Sequence, residues 1–338
     1  MSERSTIAAT SSSDTTDSPI RSRFPVVLVL AVAGSLFGVV QLAILGQWVF
    51  SDRFYAYPTG ADAVSGWDLA WTRTWEVISV VGSVAFVVWM SRRYKTDATV
   101  KTIAIIVGAW MLTAWQDPGV NLTRPVFSYS SAFLNMGTWD QQVPGWPHRA
   151  GGNPQPILFW IATYLLFVPL VMLNTQAIMG WVRRRFPTLR IAALAAILFV
   201  VMAVQDILIE ELWLWQGLYR YVRVPENFSI FTGTILQMPL YEVLFWGGGM
   251  TALVGLLFVF RQSDGTMALD KGIERVPAKY RTPVRVLALG GLLNIAFLLF
   301  NFGYNVNNHF ADVNLSPEQA PSYVTNDMCG LAANPPCV

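Results

Sequence analysis

Residues 205–249 read QDILIEELWLWQGLYRYVRVPENFSIFTGTILQMPLYEVLFWGGG, and their reading decides the fold. The two ends are apolar enough to be buried helices, joined by a short aromatic loop. The first end carries Asp206, Glu210 and Glu211; the second carries Gln237, Pro239 and Glu242. An ionisable side chain inside an apolar helix is costly in lipid and by default marks a site. Asp206 and Glu210 are four residues apart, so they share a helix face about 6 Å apart along the axis. Glu211 points elsewhere. We therefore expect Asp206, Glu210 and Glu242 to look into one cavity and to move protons there.

The rest of the chain fits an all-α polytopic membrane protein. Apolar residues make up 54% and charged residues 13%, far from soluble averages. A net charge of +2 gives no basic footprint for nucleic acid. Two cysteines exclude a disulfide framework or a cysteine metal cluster. Two histidines, His148 and His309, exclude the histidine-rich iron sites of membrane desaturases. Residues 1–23, rich in Ser, Thr and Asp, read as a disordered tail. The apolar run 24–50 reads as an uncleaved first span, with six more near 69–90, 101–116, 156–181, 190–213, 234–260 and 284–304. Seven helices then form a membrane domain over 24–304, followed by a tail over 305–338.

Basic residues orient these spans. Segments 1–23, 91–101, 182–190 and 261–285 hold 17 of the 23 Lys and Arg. The positive-inside rule puts the N-terminus in the cytoplasm and the C-terminus outside the cell membrane. Loop 117–155 is then external, and its length suits a lid, a binding loop or a folded cap. Cys329 and Cys337, in the external tail, would pair in an oxidising compartment or stay as two thiols.

Counting up each helix from its nearest cytoplasmic basic residue places Glu76, Asp117, Asp206, Asn301 and Glu242 in one layer. They sit 16 to 19 residues from Arg92, Lys101, Arg190, Arg285 and Arg261, or roughly 24–29 Å along a helix. Such a layer is either a polar site in the outer membrane or a row of helix ends at the interface. The apolar residues flanking Asp206 and Glu242 favour immersion. Arg73 and Glu76, one turn apart, suit an ion pair. Twelve of 14 Trp fall on the outer side, as an aromatic belt or as walls of a cavity that includes Trp71, Trp75, Trp115, Trp213 and Trp246.

Burial favours the neutral form of a carboxyl, and polar neighbours favour the ionised form. Two carboxyls in such different surroundings give an acid–base pair. That pair suits ring closure, ketalisation or dehydration of a lipophilic substrate without a redox cofactor or metal. The Asp206–Glu210 spacing also suits a magnesium–diphosphate site, but a second acidic cluster is missing. No nucleophile elbow, P-loop or dinucleotide fingerprint occurs, and Gly247–Gly249 reads as close helix packing.

Several segments resemble one family. They are Trp115-Gln116-Asp117-Pro118 with Asn121, Asn135, Trp139 and Pro144-Gly145-Trp146, then Asp206, Glu210, Gly217-Leu218-Tyr219, Gly233, Pro239 and Glu242. The pattern is similar to the spirocyclase AveC-like family of actinobacterial integral membrane proteins, from the first span to about residue 305. The resemblance implies closure of a spiroketal on a polyketide macrolide: a dihydroxy-ketone loses water to give two rings sharing one carbon. The residue reading assigns Asp206 or Glu242 as acid and Glu210 or Asp117 as base. It assigns Arg73, Trp115, Asn121 and Asn301 to substrate, with Glu76, Asn135, Trp139 and Tyr241 beside them. Two other readings share these features: an isoprenoid or carotenoid-type cyclase, and a non-catalytic carrier of lipids or metabolites.

Overall fold

The computed structural model describes residues 25–147, 152–326 and 328. The expectations for tail 1–23, His148, Cys329 and Cys337 lie outside these residues. The described chain is mostly helical. Six helices are long and apolar enough to cross a membrane: α1 (Val26–Val49), α2 (Gly66–Arg93), α4 (Ile157–Arg185), α5 (Ile191–Trp215), α6 (Leu240–Val259) and α7 (Ala278–Asn308). A seventh span exists only as a bent pair, α3 (Ala98–Met111) followed by a 3-10 segment, Ala114–Asn121, at 49°. The chain is a multi-pass membrane protein.

Local chemistry accounts for where these elements begin and break. Ser65 caps α2 by accepting the Asp68 amide at 3.0 Å. Asp97 caps α3 through the Thr99 and Val100 amides. The bend after α3 precedes Pro118, whose ring conflicts with the carbonyl four residues back, that of Ala114. The expected straight span 101–116 is therefore two pieces. The expected helix from 234 instead starts at Leu240, after Pro239. Gln237 and Pro239 precede it, because β4 (Ser229–Ile230) pairs with β5 (Met238–Pro239) and a residue before proline prefers extended backbone. Helix α7 outruns its apolar stretch 284–304 at both ends, since Lys279, Arg281, Asn307 and Asn308 are helical but not apolar.

Helices α1 and α7 pack most closely. Added Cβ atoms on Gly34 and Gly291 would overlap the backbone carbonyls of Leu287 and Leu30. Over one end of the bundle lies a cap. Its first ribbon pairs β1 (Phe127–Tyr129) with β2 (Tyr219–Tyr221) in the register Phe127↔Tyr221, Ser128↔Arg220, Tyr129↔Tyr219. A second pairs β3 (Arg223–Val224) with β6 (Val313–Asn314). The C-terminal segment is thus part of the cap. Its Tyr323 hydroxyl donates to Asp68 at 3.0 Å, and its carbonyl accepts the Ser131 amide at 2.8 Å.

Candidate functional site

A cavity of about 830 Å³, mouth included, lies between the cap ribbon and the helices. Each wall follows from an element described above. Asp206, Ile209, Glu210 and Trp213 come from one face of α5, at the three- and four-residue spacing of a helix. Glu242 and Trp246 come from the start of α6, and Phe297, Phe300 and Tyr304 from α7. Asp117 and Val120 come from the 3-10 segment after the α3 bend. The remaining helical wall is Phe159, Thr163, Tyr164 and Phe167 of α4. Both α4 and α6 carry π-helical segments here, Thr163–Phe167 and Val243–Met250. Such bulges recur at functional sites because they re-aim side chains.

The cap supplies the roof. Alternate residues of a strand share a face, so Phe127 and Tyr129 of β1, with Tyr219 and Tyr221 of β2, all turn into the cavity. Ser128 and Arg220 turn away. The Arg220 guanidinium donates to the Leu214 and Tyr219 carbonyls instead.

Four carboxyls and five tyrosines therefore line one aromatic chamber, with no Lys, Arg or His among its lining residues. Tyr219 donates its hydroxyl to Glu210 Oε2 at 2.5 Å and Tyr221 to the same oxygen at 2.9 Å. Tyr304 hydrogen-bonds Glu242, and Tyr164 donates to Asp117 at 3.2 Å. Asp206 Oδ2 is buried with no hydrogen-bond partner among the described residues. Asp206 is close enough to Glu210 and Glu242 for their charges to interact. Tyr129 lies within electrostatic reach of Asp117, Glu210 and Glu242. Among the described residues, no three His, Cys, Asp or Glu side chains stand where they could share a metal ion.

All four carboxyls singled out in the sequence reach this chamber, and Glu211 does not. Of the five tryptophans considered for its wall, Trp213 and Trp246 line it. The eight residues expected to hold substrate lie outside the lining, with other partners. Arg73 pairs with Glu76 at 2.6 Å, and Glu76 also accepts the Leu134 amide at 2.6 Å, tying α2 to the cap. Asn135 accepts the Tyr57 and Gly137 amides and donates to the Ser131 and Phe133 carbonyls. Asn121 closes the turn before β1 through the Val126 and Phe127 amides. Trp139 donates to the Trp115 carbonyl at 3.0 Å, and Trp115 donates to Asn294 at 2.9 Å. Asn301 donates to the Gln116 carbonyl, and Tyr241 donates to Asn308 at 2.7 Å.

The roof tyrosines Tyr129, Tyr219 and Tyr221 are the site residues that sequence reasoning missed, although Tyr219 stands in the family pattern. Their signal is the alternation in FSY at 127–129 and YRY at 219–221. It is too short to announce a strand without knowing that the two segments pair.

Neither a curated protein nor a solved structure matches the chain at a significant level. A family model described as spirocyclase AveC-like matches residues 91–325. That match starts in the last turn of α2 and ends in the C-terminal segment of the cap, later at both ends than the resemblance in sequence suggested. It covers well over half of the chain and includes all four carboxyls of the chamber and both strands of its roof. The chain belongs to the spirocyclase AveC-like family.

Proposed function

We propose that this protein closes a spiroketal on a polyketide, by cyclodehydration of a dihydroxy-ketone within the carboxylate chamber. Family membership points to polyketide modification. The observation that carries the finer reading is the convergence of four carboxyls, from three separate segments, on one aromatic chamber without a basic lining residue. A neutral, lipophilic, oxygen-bearing substrate suits that lining; a diphosphate does not. We place the protein in the cell membrane with its N-terminus in the cytoplasm, following its basic residues.

The chemistry needs two proton relays. In the first, one substrate hydroxyl adds to the ketone carbon. The carbonyl oxygen takes a proton from Asp206 or Glu242, and the attacking oxygen gives its proton to Glu210 or Asp117. The product is a hemiketal. In the second, the roles reverse. The group that gained a proton returns it to the hemiketal hydroxyl, which leaves as water. The second hydroxyl adds to the resulting oxocarbenium carbon, and its proton restores the original acid. One water is lost and both carboxyls recover their starting state. Hydrogen bonds from Tyr219 and Tyr221 hold one oxygen of Glu210 in place, which suits it to the accepting role. Tyr129, within reach of three carboxyls, donates to the ketone oxygen. The surrounding aromatic faces stabilise the cationic intermediate.

The test is mass spectrometry of lipid extracts from the native host with the gene intact, deleted, or carrying Asp206→Asn or Glu242→Gln. Deletion should accumulate a precursor heavier by one water, and each variant should lower turnover about 10²–10⁴-fold. Full turnover by both variants, correctly inserted, refutes the assignment. A hydrocarbon precursor without oxygen-rich fragments would indicate an isoprenoid cyclase, which the same aromatic lining would suit. No precursor, with a metabolite redistributed across the membrane, would indicate a carrier.

A further inference from the structure

A second cavity lies at the opposite functional pole of the molecule, among the basic segments rather than beneath the cap. It is an open crevice of about 840 Å³, mouth included, where the start of α3, the last turns of α4 and the chain leaving α6 meet. Its polar side chains are Thr99, Gln176, Arg183, Arg261, Gln262 and Ser263, with no carboxylate among them. Two acidic groups border it: Asp97, whose charge reaches Arg261, caps α3, and Asp264, between Ser263 and Gly265, accepts from the Thr266 amide and hydroxyl.

Arg261 is held in place rather than left to sample solvent. It donates to the Phe258 carbonyl at 2.6 Å and to Gln176 at 3.1 Å, and its guanidinium lies 3.8 Å over the Phe258 ring. Arg183 is carried over the Phe260 ring at 5.2 Å. Neither forms an ion pair among the described residues, where the salt bridges are Arg73–Glu76 and Arg285–Asp270. One guanidinium held by hydrogen bonds, a second and more exposed one beside it, and neutral polar side chains around them form a receptor for a planar or tetrahedral anion. The crevice opens where three membrane helices end. Basic pockets between helices at that level bind phosphate headgroups.

We infer that this crevice binds a phosphate-bearing group, the phosphodiester headgroup of an anionic lipid, through Arg183 and Arg261. This site is independent of the chamber and of the reaction proposed for it. Its role is to seat the helix ends α3, α4 and α6 against the bilayer surface.

The test uses the full-length protein in nanodiscs and in detergent. Native mass spectrometry with equal amounts of phosphatidylglycerol and phosphatidylcholine of matched chains should show preferential retention of phosphatidylglycerol. The Arg183→Gln/Arg261→Gln double variant should lose that preference, by roughly fivefold per arginine. Arg92→Gln/Arg93→Gln, an equal change of charge outside the crevice, should keep it. Thermal unfolding in detergent with added glycerol 3-phosphate or inorganic phosphate separates the sources. A rise in Tm with the lipid alone supports a headgroup site. A rise with soluble phosphate as well supports the same receptor filled from solution. Equal retention of the two lipids by the wild-type protein overturns the inference, and that result does not depend on any variant folding. Equal loss of preference in both double variants also overturns it, since the effect is then one of bulk charge.

Discussion

Gly247 of α6 faces Asp206 of α5 so closely that a Cβ on the glycine would stand 2.5 Å from the aspartate Cβ. The Asp206 carboxyl lies in that contact, its carbon and Oδ2 each 2.6 Å from the same position, and borders the chamber with Glu242. A glycine at residue 247 is therefore part of the site, although it has no side chain to act with.

Gly247→Ala should force α5 and α6 apart at the level of both carboxyls. Overpacking of this kind costs about 1–3 kcal/mol, and turnover should fall by more than stability does, because Asp206 and Glu242 separate. Gly46→Ala makes a control, as an added Cβ there meets nothing within 4 Å. Tm and product yield should both stay at wild-type levels in the control. An unchanged yield in Gly247→Ala would show that the α5–α6 spacing does not govern the chemistry.

The roof ribbon predicts two different outcomes for two neighbouring tyrosines. Tyr219→Phe removes one of two donors to Glu210 Oε2 and leaves Tyr221 in place. Removing one partner of a buried hydrogen bond costs about 1–3 kcal/mol, so Tm should fall together with rate. Tyr129→Phe removes the hydroxyl of a lining residue that lies within electrostatic reach of three carboxyls. Its Tm should stay near wild type while turnover drops. Equal effects of the two substitutions on Tm and on rate would contradict the division between holding the base and touching the substrate.

Much of this chamber was legible in sequence, for definite reasons. Asp206 and Glu210 share a helical face at any tertiary arrangement. Apolar flanks marked Glu242 as immersed, and the depth count put Asp117 in the same layer although it opened the loop 117–155. The Gly247–Gly249 run signalled close packing. The roof was not legible, because Phe127 and Tyr221 are paired across most of the fold and each strand is three residues long. Trp115, Asn121 and Asn301 illustrate the other gap. Each is polar and deep, which suggests a site, yet a buried amide or indole must first find a partner. Here the partners are Asn294, the Phe127 backbone and the Gln116 carbonyl. Whether a deep polar group faces a cavity or a neighbour depends on packing that no single segment encodes.

Asn135 ties the cap loop 131–137 together and joins it to Tyr57. Its side chain is 2% exposed and satisfies two amides and two carbonyls from Tyr57, Gly137, Ser131 and Phe133. Asn135→Ala should strand those groups at about 1–3 kcal/mol each where water cannot replace the bond. The cap should become sensitive to protease between residues 130 and 147 while α5 and α6 stay protected. Asn135→Asp would restore the acceptor but not the donor, and should fall between alanine and wild type. Protection of the cap in Asn135→Ala would mean that Glu76, through the Leu134 amide, suffices to hold it.

Asp140 makes the cap sensitive to pH. It lies in a 3-10 turn outside the membrane helices and is 3% exposed. Burial pushes its carboxyl from 3.8 up to about 7, against the opposing pull of the Gln141 amide and the Arg53 charge. The folded chain thus keeps a proton that the unfolded chain gives up. The stability this confers is fully present below about pH 3.8 and is lost as pH rises through about 7. Above that both states are ionised and the dependence should level off. Unfolding of the protein in nanodiscs, followed by Tm between pH 5 and 9, should show a decline that flattens beyond about pH 8. Asp140→Asn cannot ionise, so its Tm should exceed that of the wild type above pH 7 and lose this part of the slope. If the slope survives in Asp140→Asn, the titrating group is another, and the cap does not owe its pH response to this carboxyl.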